Sequence, residues 1–395
     1  MATTTFTHET ARYIDRRRTG WLLASLLPLL PFVGIAFREL GGSDLWLFLP
    51  TIILYGIVPV LDWLIGEDSN NPDEADVPAL EDDGYYRWIV TLTLPLMYAT
   101  LVFCAWYAVA AELSWYGYLA LAIAAGWTGG VGVNAGHELG HKKSGLDRQL
   151  ARFALAPTGY GHFNIEHNRG HHRDVATPED SASSRFGESY YRFMGREVPG
   201  AFRRAWRLER ERLERLGTGP ITWRNQILQT ALMTLVLWGV LIVWLGAAVI
   251  PFLLIQAGFG YSLLTSANYV EHYGLLRQRT ASGRYERPQP KHSWNSNHLL
   301  SNILLYQLQR HSDHHAHPTR RYQALRHFEE APQLPSGYFG MFVVAFFPPL
   351  WFRLMDPKVI DHAGRRADRI NMVPERREAL IRKYGLVRNP DPSDV

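Results

Sequence analysis

The chain has 395 residues, of which 47% are hydrophobic and 20% are charged, and its formal net charge is +4 at pH 7. These averages resemble those of a soluble globular protein, but the apolar residues are gathered in long uncharged runs, which is typical of a membrane protein. The single cysteine, Cys104, lies inside one of these runs. A disulfide framework or a thiolate metal site within one chain is therefore excluded.

The uncharged runs predict six transmembrane helices in an all-α fold. A helix needs about 20 apolar residues to cross a bilayer, and four runs qualify, at residues 19–37, 45–61, 88–111 and 113–136. A fifth run, 225–270, is too long for one crossing, and Gly246 and Pro251 predict a break near its middle. Six crossings bring both termini to the same side of the membrane.

The positions of lysine and arginine predict which side this is. The proposed outer turns, near Glu39, Glu112 and Gly246, contain Arg38 as their one basic residue, and all other basic residues fall on the opposite side. Basic residues stay with cytoplasmic loops. We therefore expect a multi-pass membrane protein with both termini in the cytoplasm.

The chain divides into alternating membrane and water-exposed segments. They are residues 1–136 with helices one to four, 137–223, 224–270 with helices five and six, and 271–395. The two water-exposed segments, 137–223 and 271–395, should form one cytoplasmic cap. The apolar stretch 337–352 competes as a seventh crossing, but it contains Pro348 and Pro349, and crossing would export an arginine-rich tail. We interpret it as an interfacial or buried segment.

Histidines are concentrated in four motifs where the predicted helices emerge into the cap. The motifs are HELGH from residue 137, EHNRGHH from residue 166, NYVEHYG from residue 268 and RHSDHH from residue 310. Residues four apart on a helix share a face, so both imidazoles of the first motif point to one spot, whereas Glu138 points about 100° away. The nine candidate metal ligands are His137, His141, His167, His171, His172, His272, His311, His314 and His315.

Taken together, these motifs predict two metal ions. A single histidine at a helix end, such as His272, is more often a structural residue than a ligand, and the HxxxH spacing arises often by chance. Two of the motifs, however, end in adjacent histidines, which would repel one another when protonated. Nine imidazoles exceed the three or four that one zinc ion uses. Iron, copper and zinc all suit imidazole ligands, so the metal remains open.

Neutral imidazoles leave the charge of two divalent ions uncompensated. Nearby carboxylates are therefore expected to orient the imidazole N–H groups and to balance this charge. The candidates are Glu138, Glu166, Asp174, Asp180, Glu271 and Asp313, each of which has the alternative role of an ordinary surface acid. Among the other histidines, His8, His327 and His362 are expected to be solvated, and His317 is expected to support the last motif. For His162, His292 and His298 both a structural role and a role near the metal stay open.

At these residues the chain closely resembles the membrane-bound non-haem di-iron alkane hydroxylases, or alkane 1-monooxygenases. They belong to the histidine-box superfamily that includes the fatty acid desaturases. The matching segments are HELGH from residue 137, YGHFNIEHNRGHHRDVATPEDSAS from residue 160, NYVEHYGLLR from residue 268 and LQRHSDHHAHPTRRYQALR from residue 308. NYVEHYG is similar to the hydroxylase branch of this superfamily.

The resemblance implies two iron ions at the nine histidines. It implies terminal hydroxylation of medium- to long-chain n-alkanes, drawn from the lipid, to 1-alkanols with O2 and two electrons. It also implies rubredoxin as the electron donor, with rubredoxin reductase upstream. A fused rubredoxin domain needs four cysteines, so with Cys104 alone the donor is either a separate partner or a fused domain that these 395 residues do not include. The resemblance also implies the bacterial inner membrane as the location. No nucleic-acid partner is expected.

Several alternatives remain open at this point. Desaturation and xylene-type hydroxylation are the nearest, because related enzymes share the histidine motifs. A zinc intramembrane protease is more remote: residues 137–141 also form HExxH, and residues 71–73 resemble that family's second motif, but the other clusters stay unexplained. A metal transporter would hold its ligands at the midplane of the helices rather than at their ends.

Overall fold

A computed structural model describes residues 13–388, so His8 lies outside the described residues. In chain order the helices are α1 (Leu22–Gly41), α2 (Asp44–Ile65), α3 (Val77–Asp82), α4 (Gly84–Ala110), α5 (Trp115–Gly140), α6 (Gly145–Leu155), α7 (163–174), α8 (Tyr190–Arg215), α9 (Gln226–Leu245), α10 (Ala247–His272), α11 (Leu299–Leu304), α12 (His311–Ala316), α13 (Tyr338–Ala345), α14 (Pro348–His362) and α15 (Arg377–Tyr384). In this part of the chain β pairing is limited to isolated bridges. The fold is all-α.

Six of these helices are long and apolar enough to cross a membrane: α1, α2, α4, α5, α9 and α10. The predicted number of spans is confirmed. The break expected within residues 225–270 occurs at Gly246, whose φ of +79° ends α9 in a conformation that favours glycine. Pro251 follows in the first turn of α10, where its missing N–H is tolerated.

The apolar stretch 337–352 does not form a straight seventh span within residues 13–388. It contains α13 and the beginning of α14, whose axes are bent by 119° relative to each other. Pro348 and Pro349 begin α14, as the missing N–H groups of proline allow. Phe339 and Phe342 of α13 are buried in the largest hydrophobic core. The segment therefore closes one side of the bundle.

Small residues allow α5 and α10 to approach closely. A Cβ on Gly130 would lie 2.3 Å from Cδ1 of Leu263, and one on Gly260 would lie 3.3 Å from the Gly130 nitrogen. Faces of small residues are a common means of helix association in membranes. This close approach brings the last turns of the two helices together, with His137 on one and His272 on the other.

Helices α6 and α7 form a hairpin that packs against the spans. The Tyr98 hydroxyl, well inside α4, donates to the Phe153 carbonyl at 2.8 Å, and Gln256 Nε2 of α10 donates to the Pro157 carbonyl at 2.9 Å. Backbone carbonyls that leave the helical pattern need such partners. The hairpin belongs to the segment 137–223 that we assigned to the cap, and it contacts the spans directly.

The tip of the hairpin reaches below the histidine motifs. Thr158 Cγ2 lies 2.9 Å from the position of a Cβ on Gly129 and 2.9 Å from one on Gly260, so the threonine methyl is held between α5 and α10. Gly129 precedes His137 by eight residues, which corresponds to roughly 12 Å along a helix. The hairpin is thus a third wall of the bundle at this end.

The cap is fixed to the last histidine motif by a buried arginine. Arg310 donates to the carbonyls of Leu325 at 2.7 Å, Asp68 at 2.8 Å and Asn70 at 3.1 Å. The side chain of Asn71 binds the backbone N–H and carbonyl of His327 at 2.7 and 2.8 Å. The loop after α2 therefore holds α12 in place, and Asn71 of the Asn-Pro-Asp motif has a structural role.

Candidate metal centre

The nine predicted ligands converge at the cap end of the bundle, and eight of them form two groups. Within each group the four candidate ligand atoms lie within 4.8 Å of one another. The first group is His137, His141, His167 and His314, and the second group is His171, His272, His311 and His315. The ninth histidine, His172, lies between the two.

Helix α5 supplies two ligands of the first group. The helix continues through Gly140 and is capped by His141, and the ring centroids of His137 and His141 are 5.0 Å apart. A Cβ on Gly140 would lie 2.5 Å from a side-chain oxygen of α7, so the glycine lets α7 come close. Glu138 points away and pairs with Lys142, with 2.9 Å between Oε1 and Nζ.

Helix α7 supplies three ligands because its helical turn widens. Residues His167–His171 form a π-helical turn, a feature that recurs at functional sites. His167 faces the first group and His171 the second. Nε2 of His172 is 3.1 Å from Nε2 of His167 and 3.1 Å from Nε2 of His314. His172 therefore adds a fifth nitrogen beside the first group.

Helices α10 and α12 complete both groups. His272 is the last residue of α10, and its Nε2 is 3.2 Å from Nε2 of His311, which is 2.9 Å from Nε2 of His315. His314 projects from α12 toward the first group, with its Nε2 3.0 Å from Nε2 of His137. The six-residue helix α12 thus serves both groups at once.

The spacing of the nitrogens fits bound metal ions. Nε2 of His141 and Nε2 of His171 are buried and have no hydrogen-bond partner. The facing Nε2 pairs are 2.9 to 3.2 Å apart. Two nitrogens bonded at about 2.1 Å to one ion at right angles lie about 3.0 Å apart. The residues present therefore fit two histidine-bound ions.

The neutral state of the histidine rings favours the same assignment. Burial, followed by the charges of neighbouring histidines, lowers the pKa of six imidazoles outside the spans well below the ordinary value: His141, His167, His172, His311, His314 and His315. Metal ligation requires the neutral ring. These six rings are neutral at pH 7, so their lone pairs are free to bind a cation.

One predicted carboxylate is bonded directly to a ligand of the second group. Asp180 Oδ2 lies 2.8 Å from His171 Nδ1 and accepts from the Ser183 hydroxyl at 2.6 Å. Its other oxygen accepts from Arg204 Nη2 at 2.5 Å, and Arg204 Nε donates to Glu166 at 2.9 Å. Such a hydrogen bond fixes which ring nitrogen faces the metal. Glu166 acts one step further out, through Arg204.

Glu271 reaches into the second group itself. Its Oε2 lies 3.3 Å from Nε2 of His311, the nitrogen that also faces His272 and His315. Its other oxygen is buried without a hydrogen-bond partner. Glu271 is therefore a carboxyl group in direct contact with a ligand of the second group.

The remaining three predicted carboxylates bind cations of the surroundings. Glu138 pairs with Lys142, Asp174 with Arg173 and Asp313 with Arg320, each through contacts of 2.8 to 2.9 Å. Asp313 also accepts from His317 Nδ1 at 2.7 Å and from the backbone N–H of Arg326 at 2.9 Å. Glu138 and Asp174 thus pair with cations close to them in sequence, whereas Asp313 links α12 to the segment that follows it. These three acids bind partners other than the nine imidazoles.

Comparison with known proteins gives the family. Residues 113–345 match the family model of fatty acid desaturases. The chain is 50% identical to alkane 1-monooxygenase 1 of Alcanivorax borkumensis, over 96% of this chain and 94% of that protein. It is also 50% identical to an alkane 1-monooxygenase of Ectopseudomonas oleovorans, over 94% and 93% of the two chains. This chain belongs to the alkane 1-monooxygenase family.

The resemblance inferred from the histidine motifs is confirmed by this membership. A xylene/toluene monooxygenase hydroxylase component of Pseudomonas putida is 30% identical over 87% of this chain and 90% of its own length, which marks a more distant branch. Membership of this family argues against the alternative of a zinc protease. Glu138, which would be its general base, pairs with Lys142 instead of facing a water site.

The other described histidines lie outside the two groups and bind protein atoms. His162 Nε2 contacts the Tyr261 hydroxyl at 3.2 Å, His292 contacts Glu286 at 3.1 Å, and His298 contacts the Ser296 hydroxyl at 2.8 Å. His362 is exposed, as expected, and donates to the Lys291 carbonyl at 2.9 Å. His327 is half-buried and bonded to Asn297, so the prediction of a solvated ring there was wrong.

An apolar cavity lies directly beneath the histidines, and no motif predicted it. It is a narrow cavity of about 40 Å³ between α5, α10 and α13. Asn134 and Leu308, which precede His137 and His311 by one turn, form its upper wall, and Ala267, Trp127 and Phe339 also line it. The sequence signal was the spacing of Asn134, Ala267 and Leu308, each of which lies three to five residues before a ligand.

Proposed function

We propose that this protein is a di-iron monooxygenase that hydroxylates the terminal carbon of medium- to long-chain n-alkanes. The overall reaction consumes alkane, O2, two electrons and two protons and yields a 1-alkanol and water. The observation that carries the proposal is the apolar cavity beneath two histidine groups, in a chain half identical to named alkane 1-monooxygenases.

The nine histidines hold two iron ions in this proposal. When bound, the iron ions supply the redox chemistry that activates O2. Asp180 fixes the orientation of His171, and Glu271 contributes negative charge to the second group. Imidazole ligands alone leave the charge of the ions uncompensated, so these two carboxylates stabilise the loaded site. The histidines act as ligands and not as proton donors.

The apolar cavity positions the hydrocarbon. Its walls are leucine, alanine and aromatic side chains, and its one polar wall residue, Asn134, donates to the Leu305 carbonyl at 2.8 Å. An alkane that partitions into lipid can enter among the helices and place its terminal methyl at the histidine end. The same walls exclude water from the reacting carbon.

The electrons come from rubredoxin, which rubredoxin reductase reduces in turn. A rubredoxin iron site needs four cysteines, and this chain has Cys104 alone. The rubredoxin iron site therefore lies outside these 395 residues and approaches them from the cap. The distribution of basic residues supports a cap in the cytoplasm, with the spans in the bacterial inner membrane.

The deciding experiment uses the purified chain in lipid nanodiscs. With rubredoxin, its reductase and alkanes of graded length under ¹⁸O2, we expect labelled 1-alkanols by mass spectrometry and about two iron ions per chain. Alkene products without alkanols indicate desaturation. One zinc ion per chain and negligible iron contradict the di-iron assignment.

Xylene is the informative second substrate, because one relative named for xylene and toluene hydroxylation is 30% identical to this chain. We expect n-alkanes to be converted with a kcat/KM at least tenfold higher than that for xylene. The reverse order assigns the cavity to aromatic substrates.

A further inference from the structure

One buried acid near the metal centre has neutral hydrogen-bond partners among the described residues and forms no ion pair with them. Glu197 lies in α8 and is 1% exposed. Its two oxygens accept from the Thr265 hydroxyl at 3.0 Å and from Asn268 Nδ2 at 3.4 Å, and both donors belong to α10. A carboxylate without a cation is unfavourable in such surroundings, so the neutral carboxyl form is favoured.

The position of Glu197 relates it to the second histidine group. Asn268 precedes His272 by four residues, which corresponds to roughly 6 Å along α10. The neighbouring Ala267 lines the apolar cavity on another face of the same helix. The carboxyl group therefore lies about one helical turn from a metal ligand and is separated from the hydrocarbon by α10.

The charges around Glu197 hold it in the neutral form at pH 7. Burial, followed by the charges of Glu166 on α7 and Asp180 in the loop after it, raises the pKa of Glu197 to about 8, although the two hydrogen bonds from α10 oppose this. Glu166 and Asp180 share Arg204 as their cation. The other titratable side chains that sense Glu197 are three tyrosines, Tyr160, Tyr190 and Tyr261.

Positive charge at the histidine groups would reverse this preference. Imidazole ligands are neutral and leave the charge of bound cations uncompensated. At roughly 10 Å and an effective dielectric constant of about 20, each unit of positive charge lowers the pKa of a carboxyl group by about one. The charge of two divalent ions is therefore sufficient to bring the pKa of Glu197 below 7.

We propose that Glu197 is a charge-compensating residue of the metal centre that exchanges its proton for metal: it is neutral in the metal-free protein and becomes a carboxylate when the histidine groups are loaded. The inference rests on the two-iron centre of the proposed function. During loading the O–H bond of the carboxyl group breaks and the proton leaves for the solvent, with no transfer of electrons. The Thr265 hydroxyl suits both forms, because it can accept from a carboxyl O–H or donate to a carboxylate.

A series of polar side chains gives the released proton a route toward the surface. Tyr160 and Tyr261 pack with their ring centroids 3.7 Å apart, and both sense the charge of Glu197. The Tyr261 hydroxyl lies 3.2 Å from His162 Nε2. The His162 ring in turn packs 5.2 Å from the ring of Phe202, which is 47% exposed. This assigns a role to His162, for which the sequence left two possibilities open.

Proton counting during metal loading tests the exchange without turnover. Metal-free protein in lipid nanodiscs is titrated with Fe²⁺ under argon at pH 7, in buffers of different ionisation enthalpy, and calorimetry gives the number of protons released. The variant is Glu197→Gln, which keeps the shape of the side chain but does not titrate. The matched control is Glu209→Gln. Glu209 is a buried acid of the same helix, and although burial opposes it, the hydrogen bond from Arg212 lowers the pKa of Glu209.

We expect the parent and the control to release about one proton per chain more than Glu197→Gln does. Chelator competition should show that Glu197→Gln binds Fe²⁺ at least tenfold more weakly than the parent at pH 8, and by a smaller factor at pH 6, where deprotonation of Glu197 opposes binding. Thr265→Val provides a second variant that leaves the acid in place. It removes a hydrogen bond that favours the carboxylate, so the midpoint pH of proton release should rise.

Two outcomes overturn the proposal. In one, Glu197→Gln releases as many protons as the parent on loading, or the control loses as many as Glu197→Gln does. In the other, Thr265→Val leaves the midpoint pH of proton release unchanged, which remains decisive if Glu197→Gln fails to fold. Both results are separable from the proposed function, which fails instead if the parent binds no iron or forms no alkanol.

Discussion

The two histidine groups are built from the same side chain but lie in unequal surroundings. The first borders a polar cavity lined by Lys143, Arg148 and Arg152, and the acid next to it in sequence, Glu138, pairs with Lys142. The second group is buried and has Asp180 on one ligand and Glu271 beside another. Carboxyl groups therefore contact ligands of the second group.

This difference means that two metal sites with the same kind of ligand can differ in affinity. A carboxylate hydrogen-bonded to a ligating imidazole increases its basicity and fixes its orientation. We infer that the second group binds a metal ion more tightly than the first group does. The following predictions test this asymmetry.

Removing a ligand from the second group should have the largest effect. His272→Ala leaves three imidazoles there, so we expect the iron content to fall from about two ions to one or fewer and alkane hydroxylation to fall by at least 100-fold. Metal analysis with a turnover assay measures both. His362→Ala, which alters an exposed histidine outside both groups, is the matched control. Equal tolerance at the two positions contradicts the assignment.

Replacing the carboxylates should show whether the two histidine groups differ in iron affinity. Asp180→Asn keeps the side-chain shape but removes the charge beside His171, and loss of such a partner weakens metal binding by roughly 10- to 100-fold. Glu138→Gln removes a charge that faces Lys142, so iron affinity should change less than threefold. Competition with a chelator measures both affinities. A larger loss for Glu138→Gln reverses the proposed asymmetry.

Filling the cavity should change substrate preference rather than metal content, because the cavity lies beneath both groups. Ala267→Leu adds three carbon atoms to a buried wall position. We expect kcat/KM for the longest alkanes to fall about tenfold relative to the shortest, with two iron ions retained. A uniform decrease for all chain lengths places the substrate elsewhere.

The smallest expected effect is a change in the pH dependence of stability caused by Glu197, a buried acid of α8 that faces α10. It accepts from Thr265 at 3.0 Å and Asn268 at 3.4 Å, and burial, with the nearby charges of Glu166 and Asp180, raises its pKa to about 8. Between the unfolded value near 4.3 and about 8, the folded state binds the additional proton, so its contribution to stability falls as pH rises.

Replacing this acid removes that dependence. Glu197→Gln should raise the melting temperature at pH 8 by a few degrees and leave it nearly unchanged at pH 5, as measured by thermal unfolding in detergent. The comparison of two pH values in one variant is its own control. A lower melting temperature at pH 8 means that the carboxylates do not crowd this side of the centre.

The sequence predicted the parts of this molecule that depend on strong periodic signals. Long apolar runs specify helices, so the six spans and the turn at Gly246 could be predicted, and histidines at helix ends converge wherever the helices do. The packing of the α6–α7 hairpin against the spans could not be predicted, since α6 carries Arg148 and Arg152 and resembles a water-exposed helix. The bond from the backbone N–H of Tyr322 to Glu138 could not be predicted either, because it joins residues that are 184 positions apart.

The α6–α7 hairpin also constrains the order of assembly. The Pro157 carbonyl at its tip accepts from Trp238 and Gln256, which the ribosome adds about 80 and 100 residues later. The contacts that hold the hairpin therefore form only after α9 and α10 have been synthesised. Both histidine groups include residues of α12, so neither group is complete until synthesis has passed His315. A nascent chain that stops before α12 therefore lacks ligands of both groups.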